Sequence, residues 1–265
     1  AHMAARKNAA GLSRDLELLD HIVAADGAPS SVSELAARTG RDKSQISRAL
    51  STLAEAGILY RDATSRGYVI GWRMHTIAAQ SLEAHIAAAS RPYLRQLASA
   101  YGETAEVVVL RADETIIIAS EASRHALALY ARVGAAGPAA SSSTCRAILA
   151  TEPPELAAAW LTPERVAEAP GLRGTTPAKF AAEVARAREA GYSIVIDEFE
   201  EGVVGCSAPI RGPSGVAVAA LGITAPKFRF EDSLIDAART VRRLATQISS
   251  DLGSAASKRT PLLNP

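Results

Sequence analysis

The chain has 265 residues, of which 48% are hydrophobic and 22% charged, and its formal net charge is +1. This composition is typical of globular proteins and excludes a disordered or fibrous chain, and the length suits a small domain followed by a larger one. A total charge near zero leaves nucleic-acid binding open, because affinity for phosphates depends on how the cations cluster.

The cysteines and the start of the chain bear on where the protein works. Cys145 and Cys206 are too few for a disulfide framework and are not spaced as zinc ligands. No apolar run approaches the length of a membrane span, and Ala1-His2-Met3 resembles a cloning remnant before a native Met3 instead of an export signal. We therefore expect a cytoplasmic protein with no metal, no cofactor and no membrane partner.

The stretch from Ser31 to Gly57 has the pattern of two short helices joined by a turn at Gly40. Ser31 and Glu34 have the spacing of a capping box, and Asp42 is placed to cap the second helix. Glycine ends helices readily because it enters the left-handed conformation without strain. The pattern predicts a helix-turn-helix, which is either a DNA-binding motif or an ordinary helical hairpin.

The second helix of this pair has a polar and cationic outer face. If Ile46, Leu50 and Leu53 point inward, the helical period of about 100° per residue turns the basic and hydroxyl side chains outward. Such a face enters the major groove in DNA-binding proteins, where Arg and Gln form paired hydrogen bonds with base edges. A solvated surface is the alternative interpretation. The residues predicted to contact DNA are Arg41, Lys43, Ser44, Gln45, Ser47, Arg48 and Ser51.

Two short strand-like runs, 58–61 and 67–70, follow the helix pair around a polar turn. Arg61 and Arg66 lie at the base of this turn, where they suit contact with phosphates or the minor groove. A helix-turn-helix followed by a basic hairpin is a winged helix, whereas a plain surface hairpin is the alternative.

The segment from Trp72 to Ala89 contains neither glycine nor proline and has apolar residues at helical spacing. We predict a linker helix whose apolar face packs either on a second subunit or within the chain. Pro92 is expected to lie in the first turn of the next helix.

From Thr104 onward the pattern changes to β-branched runs separated by turns, with helices between them. AEVVVL and TIIIAS predict a hairpin, LALYARVG predicts another strand, and YSIVI, VVGCSAPI and VAVAALGIT predict the last three. Helices are expected over 156–161, 177–190 and 231–252. This order favours an α+β domain with a mostly antiparallel sheet over an alternating parallel one.

The run Ser141, Ser142, Ser143 and Thr144 lies where a loop becomes a helix. Free N–H groups, the helix dipole and the hydroxyls together favour an anion such as a carboxylate. The alternative is a serine-rich cap that stabilises only its own helix.

Three stretches of the chain carry a family resemblance: PSSVSELAARTGRDKSQISRALSTLAEAGIL, RVGAAGPAASSSTCRAILA and GYSIVIDEFEEGVVGCSAPIRGPSGVAVAALGITAP. With them the chain resembles, over nearly its whole length, the isocitrate-lyase-regulator (IclR) type of bacterial transcription regulator. It implies an N-terminal winged helix, a linker helix and a C-terminal GAF-like effector-binding domain, assembled as a dimer or a dimer of dimers. It also implies an effector that is a small molecule, often a carboxylate from catabolism.

Several positions depart from the family pattern. A histidine of relatives is replaced within Pro138-Ala139-Ala140, and a usual Gly-Lys pair becomes Cys145-Arg146. The family cysteine falls on Gly205, one position before Cys206, which suggests a pocket that is less polar and roomier than usual. The effector-site residues carried over from the resemblance are Leu129, Gly134, Ile196, Asp197, Gly205, Cys206, Gly222 and Thr224.

The competing interpretations are a cysteine-based redox or metal sensor, or an enzyme with a DNA-binding appendage. A cysteine enzyme would use Cys206 or Cys145 and needs a nearby base, but the larger predicted domain contains only His125, with no motif around it.

We therefore predict a ligand-responsive regulator, a repressor of a palindromic operator, whose effector is a small organic acid, an aromatic catabolic metabolite or a derivative of one. Its domains are a winged helix-turn-helix over 4–71 with a mobile start at 4–11, a linker helix over 72–89, an effector-binding domain over 90–252 and a disordered tail over 253–265.

Overall fold

The structure, a computed structural model, describes residues 2–129 and 131–258. It divides into two compact units, the first ending at Ser81 and the second beginning at Leu82. Within the described residues, none of the helices combines the length and the apolar character that crossing a membrane requires.

The first unit is a small helical domain with a two-stranded hairpin. Its core consists of side chains that are 0–2% exposed, contributed by the first three helices and both strands: Leu18, Ile22, Leu35, Ile46, Leu50, Leu59 and Tyr68. The elements are α1 (His2–Val23), α2 (Val32–Thr39), α3 (Lys43–Glu55), β1 (Leu59–Arg61), β2 (Tyr68–Ile70) and α4 (Trp72–Ala78).

The caps predicted for the helix pair are confirmed. The Ser31 amide donates to Glu34 Oε2 at 2.7 Å, and the Glu34 amide donates to Ser31 Oγ at 3.2 Å, so both halves of the capping box form. Gly40 adopts φ +67° after α2, and Asp42 accepts from the amides of Ser44 and Gln45. These local bonds fix where α3 begins and hence which side chains its first turn presents.

The predicted hairpin is also confirmed, since β1 and β2 pair antiparallel. Its turn is closed by Asp62, whose carboxylate accepts from the amide of Ser65 at 2.7 Å and from its hydroxyl at 2.6 Å. Ser30 adds an isolated bridge to Tyr68 on the other side of β2. The first unit therefore has the winged-helix arrangement.

The single linker helix predicted over 72–89 is wrong. The helix α4 ends at Ala78, where the amides of Gln80 and Ser81 bond three residues back and tighten the last turn. A second helix, α5 (Leu82–Tyr101), then runs through Pro92 without ending. Proline removes one helical hydrogen bond, but buried side chains on both sides of it, from Ile86 to Leu97, hold this helix against the sheet.

The second unit is a six-stranded antiparallel sheet with helices on both faces. The strand order is β5-β4-β3-β8-β7-β6, and the helices α5 and α11 pack on one face while α6 and α9 pack on the other. Its elements after α5 are β3 (Thr104–Arg111), β4 (Glu114–Glu121), β5 (Ala136–Pro138), α6 (Ser143–Leu149), α7 (Pro154–Trp160), α8 (Pro163–Glu168), α9 (Pro177–Ala190), β6 (Ser193–Ile196), β7 (Val203–Arg211), β8 (Ala217–Pro226), α10 (Lys227–Phe230) and α11 (Leu234–Lys258). The predicted α+β class is confirmed.

Three local predictions differ from the structure. The segment LALYARVG is a loop where it is described; side-chain hydrogen bonds from Thr104 to the Leu129 carbonyl and from Ser120 to the Ala131 carbonyl, both 2.7 Å, hold it instead of a ladder. The start at 4–11, expected to be mobile, is part of α1. The tail expected to be disordered from 253 continues α11 as far as Lys258, and its remaining residues lie outside the described part of the chain.

Candidate DNA-binding surface and effector cavity

The helix α3 separates a buried face from a polar, exposed one. Ile46 and Leu50 are fully buried, and Asp42 caps the first turn. Six of the seven residues predicted for this motif lie exposed on α3: Lys43, Ser44, Gln45, Ser47, Arg48 and Ser51. The sequence therefore placed the outer face correctly, and its contact with DNA stays a prediction.

Arg41, the seventh predicted residue, is engaged within the protein. Its guanidinium donates to the carbonyl of Arg14 at 2.7 Å and to Asp15 Oδ1 at 2.9 Å, and its side chain is 17% exposed. These bonds tie the start of α3 to α1. Arg41 therefore orients the helix, which is a different role from direct contact with a phosphate.

The two arginines of the hairpin are exposed. Arg61 Nε donates to the Arg66 carbonyl at 3.2 Å, and the Arg61 guanidinium lies 5.5 Å from the centre of the Tyr68 ring. Arg66 adopts φ +61°, a left-handed conformation, in the turn between β1 and β2. Both charges are thus held at one end of the wing.

A cavity of about 350 Å³ opens between the sheet and the start of α6. Its floor comes from β3, β4, β7 and β8, and its rim comes from the loops before β5 and after β6. Its lining residues are Thr104, Glu106, Val108, Thr115, Ile117, Leu129, Ala131, Ala135, Ala136, Gly137, Ser141, Ser142, Ser143, Thr144, Val195, Phe199, Glu200, Val203, Gly205 and Thr224.

Seven of the predicted effector-site residues line this cavity and five do not. The seven are Leu129, Ser141, Ser142, Ser143, Thr144, Gly205 and Thr224, whereas Gly134, Ile196, Asp197, Cys206 and Gly222 lie elsewhere. The structure therefore brings together the serine run and the strand positions that face it.

Strand geometry explains three of these outcomes. Gly205 and Cys206 are consecutive on β7 and so face opposite sides of the sheet, with Gly205 in the cavity and Cys206 in the core under α5 and α11. A Cβ added to Gly222 would lie 2.7 Å from Ser207 Oγ. Gly222 thus leaves room for Ser207, whose hydroxyl bonds Ser143 Oγ at 2.8 Å and Thr144 Oγ1 at 3.2 Å.

Asp197 stabilises the loop after β6 instead of lining the cavity. It adopts φ +58°, accepts from the Gly202 amide at 2.8 Å and pairs with Lys227. The hydrogen bond from Lys227 lowers the pKa of the Asp197 carboxyl. Ile196, beside it, lies on the face of β6 opposite the cavity-lining Val195 and is exposed. Gly134 forms a turn with φ +85°.

Three of the four hydroxyl groups in the serine run form hydrogen bonds within the protein. Ser142 Oγ accepts from the Cys145 amide at 3.0 Å and so caps α6, which supports the alternative of a cap for its own helix. Ser143 and Thr144 are held by Ser207. Ser141 Oγ, in a residue that is 1% exposed, is buried with no hydrogen-bond partner among the described residues.

Glu106 is the cavity residue of most chemical interest, and sequence reasoning missed it. It lies on β3, and its Oε1 accepts from Thr224 Oγ1 at 3.0 Å. Burial raises the pKa of the Glu106 carboxyl, an effect that the hydrogen bond from Thr224 only partly opposes. A lone acid in the run AEVVVL was the available signal, but its face could not be assigned from the sequence.

A buried ion cluster supports the cavity wall from behind. Arg146 on α6 is 2% exposed and binds both oxygens of Glu198, in the loop after β6. Its Nη1 also lies 3.1 Å from Glu183 Oε2 on α9, and its guanidinium lies 5.5 Å from the centre of the Phe180 ring. The loop that carries Phe199 and Glu200 is thus anchored to α6.

Both cysteines are buried in apolar surroundings, and burial raises the pKa of each thiol. We therefore expect neither Cys145 nor Cys206 to react with a thiol reagent such as DTNB in the native protein at pH 8, while unfolding in urea should release two reactive thiols per chain. Rapid labelling of the native protein would restore the redox interpretation, as would a folded Cys206→Ser variant that has lost its ligand response. Within the described residues, no cluster of histidine, cysteine or acidic side chains suits a metal ion.

Comparison with known proteins adds information that is independent of this geometry. A family model described as "Bacterial transcriptional regulator IclR C-terminal" matches residues 79–250. The chain is 26% identical to the HTH-type transcriptional repressor AllR of Salmonella typhi, over 96% of this chain and 93% of that protein. It is 25% identical to the HTH-type transcriptional regulator BhcR of Paracoccus denitrificans, over 85% of this chain and 81% of that protein.

Solved structures share the fold. An IclR homolog from Microbacterium hydrocarbonoxydans, crystallised with 4-hydroxybenzoate, has a TM-score of 0.78 at 23% identity and covers 92% of this chain and 99% of its own. A putative transcriptional regulator from Rhodococcus sp. RHA1 has a TM-score of 0.74 at 25% identity, covering 92% of this chain and 98% of its own. These similarities support the winged helix followed by a sheet domain.

Proposed function

Since this chain belongs to the IclR family of bacterial transcriptional regulators, we propose that it binds an operator through α3 and the hairpin and responds to a small molecule held in the cavity. The curated relatives AllR, BhcR and KipR are named as transcriptional regulators and not as enzymes. The observation that carries the DNA-binding proposal is the capped, exposed and cationic face of α3 beside a basic wing.

The side chains divide by role. Ser44, Gln45, Ser47 and Arg48 read base edges, because they project from the first turns of α3, which enter the major groove in such motifs. Lys43, Ser51 and the hairpin arginines contact the backbone, which positions the protein without reading sequence. Arg41 orients α3 through its bonds to α1.

Two copies related by a two-fold axis meet two half-sites about one helical turn apart, or a multiple of that distance. A dimer, or a dimer of dimers, therefore binds an imperfect palindrome. We propose that the protein acts in the cytoplasm as a repressor, as the curated relative AllR is named.

The effector occupies the cavity beside Leu129, the serine run, Gly205 and Thr224. The volume suits an aromatic or medium-sized compound, and the fold relative crystallised with 4-hydroxybenzoate supports a ligand of that size. A ligand changes operator affinity only if it binds more tightly to one relative placement of the two winged helices. The proposed effector is thus an aromatic compound, and between an aromatic acid and a derivative of one the acidic lining residues favour the derivative.

A fluorescence-anisotropy titration with the fragment upstream of its own gene tests this proposal. We expect the protein to bind that fragment at least about a hundredfold more tightly than a shuffled duplex of the same length and composition at 0.15 M salt. Equal affinity for the two duplexes, with and without candidate effectors, would contradict the proposal.

A further inference from the structure

The cavity contains acidic side chains but no cation among its described lining residues. Its two ionisable lining residues are Glu106 and Glu200, and the rest are apolar, hydroxyl-bearing or glycine. Two basic side chains on neighbouring elements are already paired, Lys227 with Asp197 and Arg146 with Glu198 and Glu183. A bound carboxylate would therefore meet the acidic groups of Glu106 and Glu200 and, among the described lining residues, no counter-ion.

The start of α6 does not replace the missing cation. This helix has seven residues, and its cap is formed by Ser142. The hydroxyls of Ser143 and Thr144 bond Ser207. Ser141 Oγ is the one hydroxyl of this run that is buried without a partner among the described residues, and a single hydroxyl offers one donor and two acceptor positions.

Glu106 is placed to accept hydrogen bonds from a ligand. Among the described residues its carboxyl receives one bond, from Thr224, although a carboxylate has about four acceptor positions. Gly205, which pairs with Thr224 on the neighbouring strand, also lines the cavity and adds no side chain to it. Glu106 is partly exposed and lines the cavity, so a ligand N–H or O–H can bond the acceptor positions that Thr224 leaves open.

The other lining residues are mostly apolar and determine which kind of group can fill the rest of the cavity. Val108, Ile117, Leu129, Val195 and Val203 line the cavity, and Phe199 lies at its rim. These side chains suit an aromatic ring, which loses water on entering such a site and gains close packing.

We propose that this cavity selects an uncharged or cationic aromatic ligand whose polar end donates hydrogen bonds to Glu106, and that it rejects the corresponding carboxylate. The inference rests on the proposed function, in that the cavity is taken to hold the effector. It assigns Glu106 as the residue that determines which derivative of an aromatic acid is bound.

Benzamide and benzoate test the proposal, because they share the phenyl ring and the carbonyl group and differ only at the carbonyl carbon, which bears an NH₂ group in benzamide and a charged oxygen in benzoate. Calorimetry on the full-length protein at pH 7.5 is expected to show benzamide binding at least about tenfold more tightly than benzoate. In Glu106→Gln, which keeps an acceptor for Thr224, the preference is expected to fall to about threefold or less, chiefly because benzoate gains affinity. Glu114→Gln, an exposed change on β4 outside the cavity, is expected to keep the parent's preference.

Tighter or equal binding of benzoate by the parent protein would overturn the inference, and so would an unchanged preference in Glu106→Gln. Failure of both compounds to bind would overturn it as well. Promoter binding by the same preparations separates the two proposals. A protein that prefers its own promoter but not benzamide refutes this inference alone, whereas one that binds benzamide without preferring its promoter refutes the DNA-binding proposal.

Discussion

Replacing Arg146 by alanine is expected to lower the free energy of unfolding of the second unit by about 3–5 kcal/mol. The guanidinium is 2% exposed and is the shared partner of Glu198 and Glu183, whose side chains are 24% and 16% exposed. Its removal leaves two carboxylates facing each other in a poorly solvated space. Urea unfolding followed by Trp160 fluorescence in a Trp72→Phe background measures the loss, since Trp160 stacks on Phe180 beside the cluster.

Arg186→Ala is the matched control for this change. Arg186 lies on the same helix as Glu183 and 3.6 Å from it, but its side chain is 71% exposed. An exposed ion pair contributes at most about 1 kcal/mol. If Arg146→Ala destabilises the protein no more than Arg186→Ala does, the buried cluster does not hold the cavity wall. A combined Arg146→Met, Glu183→Gln and Glu198→Gln variant is expected to regain part of the stability, because it leaves no unpaired charge in the buried cluster.

The features predicted correctly from the sequence are those fixed by neighbours a few residues apart. Ser31 and Glu34 form their capping box within one turn, and Gly40 ends α2 through its own backbone conformation. The alternation of β-branched runs and turns likewise gave the α+β class and the antiparallel sheet. Each of these depends on local chemistry or on periodicity, which a single sequence contains.

The cavity depends on the register of strands that are far apart in sequence. Gly205 and Cys206 were both assigned to the site, yet only one face of β7 borders it. Asp197 was predicted to contact the ligand, but its carboxylate accepts a hydrogen bond from Lys227, thirty residues later in the chain. Glu106 was missed because an acidic residue in a strand gives the same sequence pattern whether its side chain faces a cavity or solvent.

The start of the second unit shows how tertiary packing overrides a local rule. A proline usually marks a helix beginning, which led to a predicted start near Pro92. The packing of Ile86, Leu94 and Leu97 against the sheet nevertheless continues α5 across that position. The cost of one lost hydrogen bond is smaller than the burial of several large side chains.

Arg48→Ala is expected to weaken binding to the specific operator by about 1–3 kcal/mol while changing the affinity for shuffled DNA much less. Arg48 is exposed on α3 and carries a guanidinium that can bond a guanine through two parallel hydrogen bonds. The loss should be concentrated at one base pair of each half-site. Anisotropy titrations against operators substituted one position at a time measure it.

Arg66→Ala distinguishes base reading from charge. Arg66 lies at the end of the wing, so we expect this variant to weaken operator and shuffled DNA by the same factor and to reduce the slope of log affinity against log salt by about 1. Arg186→Ala, which also removes one exposed arginine but lies outside the winged helix, should leave both quantities unchanged. If Arg48→Ala and Arg66→Ala instead lose affinity in parallel on every duplex, α3 contributes charge alone and sequence is read by other residues.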